Sequence, residues 1–175
     1  MHVFLFAKVP IKTLFYSFGK HMEIEIRKAA HTDLETLRAM EQGVIEVERP
    51  FDPTLREGSI QYYDLEDLLQ NPRAMVLVAT HEGAIVSCGY ALEKQGKPYL
   101  KHKSYAYLGF MFTEPAYRGN GLNGTILKSL KEWAQEIGLT EIRLTVYDEN
   151  SAALRAYEKV GFKKHIIEMR WPLSE

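Results

Sequence analysis

The chain has 175 residues, enough for one domain with a core of ordinary size. Apolar residues at 46% and charged residues at 26% match a soluble globular protein and exclude a fibrous or disordered one. A net charge of −1, from 22 basic and 23 acidic residues, gives no general reason to expect nucleic acid or an anionic membrane as partner.

In chain order, residues 1–21 come first, apolar and aromatic but interrupted by Lys8, Pro10 and Lys12. No stretch there approaches the ~20 apolar residues of a membrane span, and no small-x-small cleavage site follows a clean apolar run. Met22 directly precedes the first strand-like segment. Residues 1–21 are therefore read as an N-terminal extension, either an upstream-start artefact or a segment packed on a neighbouring surface. If ordered, its apolar residues would offer a homodimer contact.

Glu23–Lys28 alternates as a strand. Thr32-Asp33-Leu34-Glu35 reads as a capping box, opening a helix whose Leu34, Leu37, Met40, Val44 and Val47 share a face up to Glu48. Arg49-Pro50-Phe51-Asp52-Pro53 ends it. Tyr62–Gln70 is expected as a second short helix, closed by Asn71-Pro72. Ala74–Thr80 and Ala84–Leu92, joined by His81-Glu82-Gly83, form a hairpin. Cys88, the only cysteine, sits in the second arm, reads as a small buried hydrophobe and suits a reducing cytoplasm.

Ser104–Phe112 is an aromatic strand. A third helix from Gly121 to Ile137 places Leu122, Ile126, Leu127, Leu130, Trp133, Ala134 and Ile137 on one face, with Gly138 as C-cap. Glu141–Tyr147 is a strand, Asn150–Lys159 a helix capped by Gly161, and Lys163–Trp171 a final strand. The order βααβββαβαβ sets an antiparallel meander before two crossovers that need parallel pairing. The fold class is mixed α/β, with a central, mostly antiparallel sheet flanked by helices.

The segment Arg118-Gly119-Asn120-Gly121-Leu122-Asn123-Gly124 carries the chemistry. Its glycines let backbone amides approach an anion, the helix start supplies unpaired donors, and Arg118 adds a charged one. The bland reading is a glycine-rich turn entering a helix. A sharper competitor is the dinucleotide fingerprint, because Gly119-x-Gly121-x-x-Gly124 matches it and Asp148 follows downstream. Against it, Thr113–Arg118 separates strand from first glycine, a meander precedes it, and only 51 of 175 residues follow Gly124.

With its Arg-x-x-Gly spacing, this segment resembles the pyrophosphate motif of the GNAT superfamily of acyl-CoA-dependent N-acetyltransferases. Asn123 departs from that pattern, standing where a small residue is usual. A second resemblance lies in Asn150-Ser-Ala-Ala-Leu-Arg-Ala-Tyr-Glu-Lys-Val-Gly-Phe162, similar to the family's N-x-x-A-x-x-x-Y-E-K-x-G-F block. Together the blocks span about 110–162, and the element order extends the agreement to 23–171.

The resemblance implies a GNAT-like fold, residues 22–175 as a single N-acetyltransferase domain, and acetyl-CoA as co-substrate. It implies that Met111, Phe112 and Thr113 pair with the pantetheine as a pseudo-strand, that residues 118–124 hold the pyrophosphate, and that Asn150 contacts the pantetheine arm. Tyr157 would face the thioester sulfur as the acid that protonates the leaving thiolate, since a phenol of pKa ~10 can protonate a thiolate of pKa ~8.5. Taken alone, Tyr157 is equally a core tyrosine whose hydroxyl finds a partner.

The expected activity is acetyl transfer to a primary amine of a small molecule or peptide in a ternary complex, in the cytoplasm; the alternative is a non-catalytic acyl-CoA-binding regulator. No metal is expected. The base is not written in the sequence, for Ser104–Phe112 holds neither carboxylate nor histidine. Tyr105 or Tyr107 could act through water. Glu46, Glu48 and Asp52 lie at the end of the first helix, which in the family borders the acceptor cleft. Residues 33–70 hold ten acidic against three basic residues, which favours a cationic amine if those charges line the cleft.

Overall fold

The computed structural model describes residues 14–18 and 22–173. It comprises two compact units, one ending at Thr145 and the other starting at Val146.

The first unit is built on a six-stranded sheet in sequence order: β1 (Leu14–Phe18), β2 (Met22–Lys28), β3 (Ala74–His81), β4 (Ala84–Gln95), β5 (Ser104–Thr113) and β6 (Ile142–Arg143). Only β5 and β6 pair in parallel. This is the mixed, mostly antiparallel sheet expected. β1 adds an edge strand from the expected extension, the rest of which lies outside the described residues. The β3–β4 turn puts Glu82 (φ 49°) and Gly83 (φ 83°) in the left-handed region, the geometry that matches the twist of a two-residue hairpin.

Helices α1 (Leu34–Glu48) and α2 (Leu65–Gln70) cover one face of the sheet; α3 (Leu122–Glu136) covers the other. On the first face, Leu37, Met40 and Val44 pack with Val76, Val78, Phe110 and Phe112. A Cβ on Gly43 would come within 2.6 Å of the Phe112 ring, so α1 reaches the sheet only because that position has no side chain. On the second face α3 buries Leu122, Ile126, Leu127, Leu130, Trp133 and Ala134, as its spacing predicts. It ends in a Schellman-type closure, with Leu139 N–H donating to the Ala134 carbonyl and Gly138 at φ 81°.

Three local expectations change in this unit. The expected Thr32–Glu35 capping box does not open α1; instead a 3-10 turn, His31–Asp33, leads in, and Asp33 accepts from Ala30 N–H at 2.7 Å and from both Arg27 terminal nitrogens at 2.7 and 2.9 Å. A carboxylate with a part-buried guanidinium partner satisfies the helix entrance better than an exposed hydroxyl. Second, α2 begins at Leu65, capped by Asp64 accepting from Asp67 N–H at 2.9 Å, which leaves Tyr62 and Tyr63 in the preceding loop. Third, the strand expected over Glu141–Tyr147 contracts to Ile142–Arg143.

The second unit holds α4 (Ser151–Lys159), whose N-cap is Asn150, accepting from Ala153 N–H at 3.1 Å. No strand forms over residues 163–171, where Ile166, Ile167, Met169 and Trp171 are exposed. A strand exists through its ladder, and none runs along this segment among the described residues.

Candidate active site

The site begins with an irregularity in β5. Its pairing with β4 slips between Cys88↔Phe112 and Tyr90↔Gly109, a bulge that places Phe110 at φ 54°, in the left-handed region. A bulky residue pays about 1–2 kcal/mol for that conformation and keeps it only where the surroundings fix it. Here the Phe110 ring is fully buried and its N–H donates to the Tyr63 hydroxyl at 3.2 Å.

The bulge decides which backbone groups face outward. The Phe110 carbonyl accepts from Cys88 Sγ at 3.6 Å and the Phe112 carbonyl from Ser87 Oγ at 2.6 Å, so both turn toward β4. In a trans peptide the next N–H points the opposite way, and the described chain has no cis bond. The N–H groups of Met111 and Thr113 therefore face the outer edge of β5. β6 leaves that edge after pairing Tyr107 with Arg143. Beyond Tyr107 the outer edge of β5 has no ladder partner among the described residues, which is the opening an added extended chain requires. Phe112, by contrast, directs its carbonyl into the sheet and its ring onto α1.

Directly after β5 comes the glycine segment. Gly119 (φ 81°) and Gly121 (φ 79°) adopt the left-handed backbone that only glycine enters cheaply. Gly121 is the N-cap of α3 and no side chain caps the helix start, so the Leu122, Asn123 and Gly124 amides stay available. A Cβ on Gly119 or Gly124 would meet nothing within 4 Å, leaving room for a ligand against the backbone. Arg118 Nε donates to the Thr113 carbonyl at 3.0 Å, which anchors the side chain while its guanidinium stays exposed. Asn120 closes the loop by donating to the Tyr117 carbonyl at 3.1 Å. Asn123 Oδ1 is buried with no hydrogen-bond partner. Uncapped amides at a helix start fit an anionic, oxygen-rich ligand.

The loop from residue 52 to 64 brings a third group of side chains to β5. Glu41, fully buried on α1, accepts from the N–H groups of Tyr62 (2.7 Å) and Tyr63 (2.8 Å). Gln42 donates to the Ile60 carbonyl at 2.9 Å, and Arg49 donates to the carbonyls of Arg56 and Gly58. The Tyr63 ring packs on Phe110 at 5.1 Å and meets Tyr90 edge-on at 5.6 Å. Burial, then the nearby Glu48 charge, hold the Tyr63 hydroxyl well above the ordinary phenol range. Burial pushes Tyr90 up to about 12. Glu48, half-buried at the end of α1, is also raised, by burial.

The other sequence candidates sit as follows. Glu46 is exposed and bridged to Arg49 at 3.0 Å. Tyr105 lies under the Arg143 guanidinium at 4.2 Å, and Tyr107 under Lys94 Nζ at 3.8 Å, with its hydroxyl 2.6 Å from Thr145 Oγ1. Cys88 is fully buried, its thiol pushed up by that burial. In the second unit, Asn150 caps α4, and Tyr157 meets Phe162 edge-on at 5.8 Å. α4 has no fully buried residue. Sequence reading missed Glu41 and Tyr63. The Asp64–Asp67 cap was the available signal, since it starts the helix late enough to free both tyrosines.

Comparison with known proteins follows the same outline. A family model described as the acetyltransferase (GNAT) family matches residues 42–162. An uncharacterised N-acetyltransferase of Mycobacterium tuberculosis is 33% identical over 97 residues, covering 55% of this chain and 58% of that protein. The match thus spans little more than half the length of that curated relative. Thialysine N-epsilon-acetyltransferase of Bos taurus is 36% identical over 55 residues, 31% of this chain and 32% of its own. Among solved structures, a predicted acetyltransferase of Clostridium acetobutylicum with acetyl-CoA superposes with TM-score 0.67 at 21% identity, covering 86% of this chain and 96% of that one. An aminoglycoside N-acetyltransferase in complex with CoA gives TM-score 0.68 at 17% identity, over 88% and 97%. No helix among the described residues is long and apolar enough to cross a membrane. The chain belongs to the acetyltransferase (GNAT) family.

Proposed function

We propose that the protein moves an acetyl group from acetyl-CoA to a primary amine of a small molecule or peptide, by direct attack in a ternary complex. The observation that carries this reading is the outer edge of β5, where Met111 and Thr113 present N–H groups immediately before the uncapped start of α3. An extended pantetheine pairs with those amides, and the pyrophosphate takes the Leu122–Gly124 amides with Arg118 as charged donor. Acetyl-CoA, an aminoglycoside and thialysine appear in the names of similar proteins, which supports the same class here. Asn150 keeps its carboxamide NH2 for the pantetheine arm, because its oxygen accepts the α4 cap.

Chemically, the amine nitrogen attacks the thioester carbon, charge develops on the carbonyl oxygen, and the C–S bond breaks. Backbone N–H groups at the β5 bulge stabilise that charge without reorganising. The departing thiolate takes a proton from Tyr157. A lone buried thiol in the chain fits a cytoplasmic setting.

The test is amine-dependent release of coenzyme A, measured with a thiol reagent over a panel of polyamines, an aminoglycoside, free lysine analogues and peptides with free N termini. Release that follows one amine class supports the reading. Thermal stabilisation by acetyl-CoA with no release for any amine would instead favour a non-catalytic binding module.

A further inference from the structure

Of the two peptide groups that flank Phe110 at the β5 bulge, each is held from a different side. The N–H of the first donates to the Tyr63 hydroxyl at 3.2 Å. The carbonyl of the second accepts from Cys88 Sγ at 3.6 Å. One anchor thus comes from the 52–64 loop and the other from β4. A bulky residue keeps φ 54° only where its surroundings over-determine it, and these two bonds act together with the buried ring. The second peptide also carries the Met111 N–H. Being trans, it turns that N–H away from β4 toward the outer edge.

Tyr63 is itself fixed from α1. Glu41, fully buried in the middle of that helix, accepts from Tyr62 N–H at 2.7 Å and Tyr63 N–H at 2.8 Å, both on Oε1. Burying a carboxylate with no salt bridge among the described residues is unfavourable unless hydrogen bonds satisfy it, and here they pin the loop backbone. The Tyr63 ring then packs on Phe110 at 5.1 Å and meets Tyr90 at 5.6 Å. Tyr90 in turn lies so close to Gly109 that a Cβ there would sit 2.5 Å from its hydroxyl. A continuous line of contacts therefore runs from Glu41 through Tyr63 and Phe110 to one outward amide, that of Met111.

The acetyl-transfer reading above, on which this inference rests, gives that amide its partner. Residues 118–124 follow the C-terminal end of β5, so the pyrophosphate lies beyond Thr113 and the extended pantetheine runs back along the edge. Its acyl end then reaches Met111, while the Phe110 N–H is already taken by Tyr63. We infer that Tyr63 is a positioning residue for acetyl transfer: by holding the Phe110 N–H, it aims the Met111 N–H at the thioester carbonyl oxygen. Tyr63 acts through the backbone and exchanges no proton with the substrates. A donor fixed in advance draws charge onto the carbonyl oxygen, the same change that attack by the amine completes.

The experiment needs no amine. Acetyl-CoA labelled with carbon-13 at the acetyl carbonyl is bound to wild type, Tyr63→Phe and Tyr90→Phe, and the isotope-edited infrared band of that carbonyl is recorded. In wild type the band is expected at lower wavenumber than in free acetyl-CoA, the signature of a polarised carbonyl. Tyr63→Phe keeps the ring contact and loses the acceptor, so its band should return most of the way to the free position. Tyr90→Phe removes a hydroxyl from the same aromatic cluster and leaves the Phe110 bond in place, so it should keep the wild-type band. Coenzyme A, which lacks the acetyl group, should bind all three proteins within about twofold, showing that the variants fold. Acetyl-CoA should bind Tyr63→Phe up to about tenfold more weakly, the effect of one misdirected hydrogen bond.

A wild-type band in Tyr63→Phe overturns the positioning role, and so does an equal displacement in Tyr90→Phe, which would make it general packing of the cluster. A Tyr63→Phe protein that no longer binds coenzyme A overturns it too, making Tyr63 a residue of the fold. If acetyl-CoA binds wild type with its band at the free position, the Met111 amide does not meet the carbonyl; the inference then falls and the acetyl-transfer reading stands. Failure of wild type to bind either acetyl-CoA or coenzyme A overturns that reading and this inference with it.

Discussion

The Tyr63 hydroxyl accepts the backbone N–H of Phe110 at 3.2 Å, beside the register slip in the β4–β5 ladder. Phe110 is left-handed there, and Tyr63 holds it by two devices, the bond and the ring contact at 5.1 Å. Tyr63→Phe keeps the ring and removes the acceptor, leaving a part-buried N–H unpaired. Its expected cost is about 1–2 kcal/mol of unfolding free energy. Tyr63→Ala removes both devices and should cost about 3 kcal/mol or more. Urea titrations of the three proteins give the ranking. A Tyr63→Phe variant as stable as wild type would mean that the ring contact alone holds the bulge.

Arg118 and Gly121 are expected to separate charge from backbone shape at the proposed pyrophosphate position. Arg118→Ala removes a charge-assisted donor and should weaken acetyl-CoA binding about tenfold, with stability nearly unchanged because the side chain is exposed. Gly121→Ala forces a Cβ into φ 79° at the helix start, costing about 1–2 kcal/mol of stability as well as affinity. Calorimetric titration and thermal melts distinguish the two signatures. The salt dependence of binding should be reduced in Arg118→Ala alone.

Tyr157→Phe tests the proposed acid. Removing a proton donor used only as the thiolate leaves should lower kcat about 100-fold and leave the acetyl-CoA dissociation constant within about twofold. A poor leaving group exaggerates the defect. An oxygen ester analogue of acetyl-CoA should thus suffer more from the substitution than the thioester does. Unchanged kcat would return Tyr157 to the role of a ring packed on Phe162.

What the sequence made readable follows from which interactions are local. The α3 face repeats at helical spacing and needs only its own residues to be recognised, so the face from Leu122 to Ala134 is buried as expected. Asn150 and Gly138 act within a turn of themselves and were equally legible. The bulge at Phe110 is different. Nothing in Ser-Tyr-Ala-Tyr-Leu-Gly-Phe-Met-Phe-Thr marks a left-handed phenylalanine, because its causes are Tyr63, Cys88 and Gly89 from elsewhere in the chain. A Cβ at Gly89 would lie 2.5 Å from Met111 Sδ, so the bulge depends on a glycine in the neighbouring strand. Glu46 and Glu48 look alike in sequence, and only the fold sets them apart, Glu46 exposed and bridged to Arg49, Glu48 half-buried.

Asp33 gives a prediction on stability against pH. Its carboxylate is buried and held below the ordinary carboxylate range, chiefly by the Arg27 hydrogen bonds and also by Ala30 N–H, with desolvation opposing. A group whose folded pKa is depressed contributes stability above its unfolded pKa, about 4, and loses it as pH falls through the lower folded value. Asp33→Asn should therefore cost about 2 kcal/mol near pH ~7, where wild type holds the charged bidentate pair. The difference should shrink as pH falls below about 4 and on through the lower folded value, where wild type loses the charge too. Arg27 stays cationic throughout, so the carboxylate alone sets the window. Denaturant unfolding of both proteins at several acid pH values measures the convergence. A gap that stays constant into strong acid would mean that Asp33 acts at the α1 entrance through shape and neutral hydrogen bonding, with no contribution from its charge.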